Sequence, residues 1–153
     1  MIYSYQNRNP KFLDTRNDCV IRSISGATGE SWETVYAGLS KLALSMHHMI
    51  DYVDVFSRYL NAIGAVPVFQ KKDDENVYII DFVRKHTDGV YFLATYDHLV
   101  YSEDGVIRDT WDSTKELLVM AWKFDKAHYR PFFTNPVEEE VPWLFPKQGK
   151  ESR

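Results

Sequence analysis

The chain carries one cysteine, Cys19, and the residues around it are those a nucleophile needs. It lies in the run Thr15-Arg16-Asn17-Asp18-Cys19-Val20-Ile21-Arg22, after which Val20, Ile21, Ile24 and Ala27 repeat at helical spacing. A thiol at a helix start faces the positive end of the helix dipole, which favours the nucleophilic thiolate. Thiol chemistry on an acyl carbon also needs a base and a group that orients it. The second half of the chain offers both. His98 opens His98-Leu99-Val100-Tyr101, and Asp109 closes Val106-Ile107-Arg108-Asp109, with the hairpin-turn pair Asp104-Gly105 between them. A two-residue turn sets Glu103 opposite Val106 and therefore Val100 opposite Asp109. His98 shares the face of Val100, so Asp109 lies diagonally beside it, within side-chain reach. Asp112 would face Asp97 on the other side. Cys19, His98 and Asp109 thus read as nucleophile, base and orienting acid.

The other histidines are poorer bases. His47 and His48 fall at a helix-loop junction, His86 ends a helix, and His128 lies beside Tyr129 and Arg130 in a loop. No close cysteine pair exists, and His47-His48 are adjacent rather than three or four apart, so neither a metal site nor a cofactor is expected. A net charge of −4 without a basic cluster argues against a nucleic-acid binder that neutralises phosphates. No apolar run approaches the length of a membrane span, and the N-terminus lacks a basic-then-apolar leader. One cysteine forms no intramolecular disulfide, so the fold does not depend on an oxidising compartment. These features predict a cytoplasmic protein without membrane or nucleic-acid partners. The plain alternative for Cys19 is a small buried hydrophobe.

The elements that must position these residues can be read from period and punctuation. With 153 residues, 44% of them apolar, the chain supports one domain with a real core. Residues 1–16 read as an extended lead-in. A first helix spans Asp18 to about Thr28, with Asp18 as cap and Gly29 as stop. Ser31 caps a second helix to about Leu44, and residues 51–62 form a third. Residues 64–69 are a short extended piece, placed at a sheet edge by Pro67. Asn76 caps a fourth helical segment that turns Ile79, Ile80, Phe82 and Val83 inward and ends at Arg84-Lys85-His86. From Gly89 the period changes to two: strands at 90–95, 98–102 and 106–110, then a further strand within 117–124. Helices first and an antiparallel meander after mean α+β. Residues 1–133 make the domain, and 134–153, with Glu138-Glu139-Glu140 and three prolines, an irregular acidic tail. Trp143, Leu144 and Phe145 could dock on the body or on a partner.

The run Asn17-Asp18-Cys19-Val20-Ile21-Arg22, with Ile24, Ala27-Thr28-Gly29 and Trp32, Val35 and Tyr36, resembles the nucleophile helix of small papain-like cysteine peptidases. Within that group it is similar to compact bacterial and phage proteins related to bacteriocin-processing peptidases. His98-Leu99-Val100 and Asp109-Thr110-Trp111 look like that superfamily's histidine strand and its Asn/Asp-Ser-Trp strand. The resemblance spans about residues 15–113. It implies a helical lobe bearing Cys19, an antiparallel sheet bearing His98 and Asp109, and a cleft between them where a protein or peptide is cleaved. It further implies that the backbone N–H of Cys19 is one oxyanion donor. The glutamine usually found six residues before the cysteine is Leu13 here, which leaves Gln6, Asn9 or Asn17 as substitutes for the second donor, with Gln6 preferred by side-chain type and Asn17 by proximity. Asp97 stands where many relatives have glycine. These two departures suggest an alternative: a papain-like module that binds without cutting, such as a phage-encoded inhibitor of a host protein.

Overall fold

The fold is known from a computed structural model that describes residues 1–13 and 17–133. In chain order the elements are β1 (Tyr3–Tyr5), α1 (Cys19–Thr28), α2 (Trp32–Met46), α3 (Val53–Ala62), β2 (Val66–Gln70), α4 (Ile79–Lys85), β3 (Val90–Ala94), β4 (Leu99–Glu103), β5 (Val106–Asp109) and β6 (Met120–Phe124). The strands form one six-stranded sheet in the order β1-β5-β4-β3-β6-β2. Every pairing is antiparallel except β1 with β5. The protein is α+β.

The sheet is covered on both faces, and the period-two alternation of β3 shows why. Val90, Phe92 and Ala94 join the core built with Ile24 of α1, Leu39 of α2 and Leu60 of α3. Tyr91 and Leu93 face the other way, into a second core with Ile79, Phe82 and Val83 of α4. A strand buried on both faces reads as a continuous apolar run, as Val90–Ala94 does. Trp122 of β6, fully buried, meets Phe56 of α3 edge-on at 6.1 Å between ring centroids. Helix α1 therefore rests on the sheet, mainly on β4 and β5.

The β4–β5 hairpin has the expected register, with Glu103 paired to Val106 and Tyr101 to Arg108. Asp104 and Gly105 both adopt positive φ, 50° and 80°, the left-handed pair that a tight two-residue hairpin turn requires. Pro67 lies on an edge strand beside a register shift, as expected of a residue that cannot complete a ladder.

Three local expectations need correction. The N-terminal segment is not merely extended: Tyr3–Tyr5 pair in parallel with Ile107–Asp109. A three-residue strand carries too little periodicity to announce itself, and a partner a hundred residues away decides it. Asp18 precedes α1 but its side chain caps no backbone N–H. Instead it accepts from Asn9 Nδ2 at 2.9 Å and Trp32 Nε1 at 3.1 Å, and pairs with Arg22. Helix α4 starts at Ile79 rather than near Asn76, because the Asp81 carboxylate accepts the Tyr78 N–H at 3.1 Å and closes the first turn there. The acidic tail lies outside the described residues. Among the described residues no helix is long and apolar enough to cross a membrane.

Candidate active site

Cys19 is the first residue of α1, and the helix positions it through its next turn. Ser23, four residues on and hence on the same helix face, donates its hydroxyl to the Leu99 carbonyl at 2.7 Å. Leu99 directly follows His98, so this bond sets the cysteine turn of α1 against the histidine end of β4. Close approach is possible because Gly26 has no side chain: a Cβ there would lie 2.5 Å from the Tyr101 ring and 2.7 Å from Gln6 Oε1.

His98 is buried and engaged on both sides. Its Nε2 donates to Asp109 Oδ2 at 2.5 Å, and the ring also hydrogen-bonds the Cys19 sulfur. With Nε2 committed, Nδ1 is the nitrogen left for Cys19. The Trp111 indole lies over the imidazole with ring centroids 4.8 Å apart. Burial alone would push the His98 pKa down, by disfavouring the cation. The hydrogen bonds to Asp109 and Cys19, together with their charges, outweigh it and raise the pKa from 6.5 to about 9. At neutral pH the ring holds both protons.

Asp109 is held from three directions. Its Oδ1 accepts the Thr110 N–H at 2.7 Å and faces Arg22 Nη2 at 3.4 Å. Its backbone carbonyl accepts from Tyr3 Oη at 3.0 Å and from the Gln6 N–H at 2.9 Å, so β1 anchors the strand end that presents it. Arg22 is itself buried and bridges Asp18 and Asp109. A chain of polar contacts thus runs from Asn9 and Trp32 through Asp18, Arg22 and Asp109 to His98 and Cys19. Arg22 stands three residues after Cys19 in the sequence, and no role is expected of it there. The available signal was an arginine in the apolar stripe of a helix, four residues after an aspartate.

The two candidate oxyanion donors separate. Gln6 is turned away: its Oε1 accepts the Tyr101 hydroxyl at 2.8 Å, beside Gly26. Gly26 is seven residues along α1 from Cys19, about 10 Å at the helical rise. Asn17 lies two residues before Cys19 and lines the same cleft. The backbone N–H groups of the first helical turn have no partner within the helix, and that of Cys19 is among them. Asp112 accepts the Thr114 N–H at 3.0 Å in its own turn rather than meeting His98. Leu13 is exposed, and its carbonyl accepts from Asn7 Nδ2 at 3.1 Å.

A cleft of about 710 Å³ opens over Cys19 and His98. One wall is formed by Met49, Tyr52, Val53 and Phe56, around the start of α3, and the other by Thr95, Tyr96, Asp97 and Trp111. Among the described residues no three His, Cys, Asp or Glu side chains are grouped as a metal site would group them. The geometry defines an α+β protein with a thiol and an imidazole lining a cleft and a buried carboxylate behind the imidazole. No protein-family model, no curated protein and no solved structure matches the chain.

Proposed function

We propose that the protein is a thiol hydrolase that cleaves a peptide, isopeptide or related amide bond, on a papain-like arrangement of helix and sheet. The reading rests on one observation above all: Cys19 and His98 line an open cleft, and His98 bonds to Cys19 on one side and to the buried Asp109 on the other. The raised His98 pKa supports an imidazolium beside Cys19 as the resting form of the ring.

In this reading the Cys19 thiolate attacks the acyl carbon and forms a tetrahedral oxyanion. The Cys19 backbone N–H and the Asn17 side chain receive the negative oxygen. His98 gives its proton to the leaving amine as the C–N bond breaks, which leaves a thioester on Cys19. The neutral imidazole then takes a proton from water, the hydroxide attacks the thioester, and the C–S bond breaks to release the carboxylic acid, which ionises to solvent, as thiolate and imidazolium re-form. Asp109 fixes the ring and stabilises its charge throughout. Arg22 positions Asp109 and touches no reacting atom.

The test is cleavage of a proteome-derived peptide library, read by mass spectrometry as new chain ends. Wild type should generate new ends and Cys19→Ala none. Peptide retained by both proteins without new ends would instead assign the binding-module reading.

A further inference from the structure

The catalytic cleft is acidic beyond its triad. Asp51, before α3, Asp97, before β4, and Glu116, between β5 and β6, all line it, and among the described residues no lysine or arginine does. None of the three forms an ion pair with another described residue. Their charges come from three separate segments and converge on one concavity, where low-dielectric walls focus the field. The cleft also shares His48 and Met49 with an adjoining cavity of about 330 Å³, completed by Ala43, Leu44 and His47. Leu44 and Met49 are 62% and 69% exposed, an apolar shelf at the cleft mouth. Two cavities in series, one anionic and one apolar, fit an extended chain better than a compact small molecule.

We propose that the substrate is a basic peptide segment, with a Lys or Arg side chain among Asp51, Asp97 and Glu116 and an apolar side chain in the Leu44–Met49 cavity. Tyr96 and Trp111, in the same wall as Asp97, add aromatic surface that a cationic side chain can cover. Acidic segments are excluded by the same carboxylates, so the charge works as selection against wrong partners as well as attraction. Cleavage of this substrate rests on the hydrolase reading; its binding does not.

The experiment measures binding of three fluorescent octapeptides to Cys19→Ala protein, by anisotropy at low and high salt. One peptide carries leucine flanked by lysine and arginine, one replaces the basic residues with glutamate, and one replaces the leucine with serine. The basic peptide should bind at least about tenfold tighter than the acidic one at low salt, the sum of three partly exposed pairings. The gap should shrink with salt and collapse in Asp97→Asn/Glu116→Gln. Loss of leucine should weaken binding several-fold. Equal affinity of the basic and acidic peptides, or a preference for the acidic one, overturns the proposal; binding indifferent to the leucine overturns the apolar part of it. Labelling of wild-type Cys19 by uncharged iodoacetamide is followed in parallel. Rapid labelling with no charge preference defeats the substrate assignment and leaves the hydrolase reading standing. A basic preference with an inert Cys19 does the reverse.

Discussion

Arg22 Nη2 lies 3.4 Å from Asp109 Oδ1 while Oδ2 of the same carboxylate binds His98, and both partners of this ion pair are 3% exposed. A helix residue three positions after Cys19 therefore holds the carboxylate that binds His98. Removing the cation takes away the charge that the buried Asp18 and Asp109 carboxylates share and leaves Asp109 with the His98 ring alone. Arg22→Met should lower stability by about 3–5 kcal/mol in urea unfolding, the range for breaking a buried pair from one side. Arg22→Lys keeps the charge but not the two-pronged geometry. It should recover part of the stability while kcat falls more than KM changes.

A second prediction concerns the carboxylate itself. Asp109→Asn keeps a hydrogen-bonding oxygen but removes the negative charge. Burial, which opposes the imidazolium, then acts with less to counter it. The His98 titration, followed by NMR of the imidazole carbons, should move down from about 9. A titration still centred near 9 in the variant would show that Asp109 does not sustain the charge.

Much of this site is legible in the sequence because it depends on local rules. Asp104-Gly105 dictates a two-residue turn, and the turn dictates the register that brings Asp109 to His98. The start of α1 at Cys19 follows from apolar spacing and its end from Gly29. What was not legible depends on partners far apart in the chain. The parallel pairing of Tyr3–Tyr5 with β5 joins the two ends of the fold, and it fixes the backbone of Asp109. Gln6 has the right chemistry for an oxyanion donor but belongs to that strand's end, where Tyr101 claims it. Asp18 looks like a cap because aspartate before a helix usually is one. Its oxygens serve Asn9, Trp32 and Arg22 instead; the Arg22 pair has the local i,i+4 spacing, whereas the Asn9 and Trp32 contacts are tertiary and no local pattern encodes them.

Stability should depend on pH through His98. Its folded-state pKa lies above the ordinary 6.5, so the protonated ring stabilises the fold fully below pH about 6.5, and that contribution is lost as pH rises through about 9. The loss is on the order of 3 kcal/mol across this window. Burial also raises the phenols of Tyr59 and Tyr129, but their ordinary value of 10.0 confines their effect to more alkaline solution. Urea unfolding at a series of pH values should show the decline in wild type and a flatter profile in His98→Ala.

Gly26 tests the packing that places Cys19. A methyl group there meets the buried Tyr101 ring and Gln6, so α1 must shift away from β4. Gly26→Ala should cost about 1–3 kcal/mol, the usual penalty for overpacking, even though alanine favours helix. Because Ser23 ties the same helix to the residue after His98, Cys19 should also react more slowly in this variant. Thermal unfolding and thiol labelling measure the two effects on one sample.

The central claim is that His98 activates Cys19, and the rate of Cys19 alkylation by iodoacetamide against pH tests it most directly. Near pH 6.5 an ordinary thiol is only about 1% thiolate, whereas one paired with an imidazolium is largely ionised. Wild type should label rapidly at pH 6.5, and His98→Ala up to about a hundredfold more slowly. A Cys19 that stays inert until the protein unfolds, or one that labels equally fast without His98, would contradict the account.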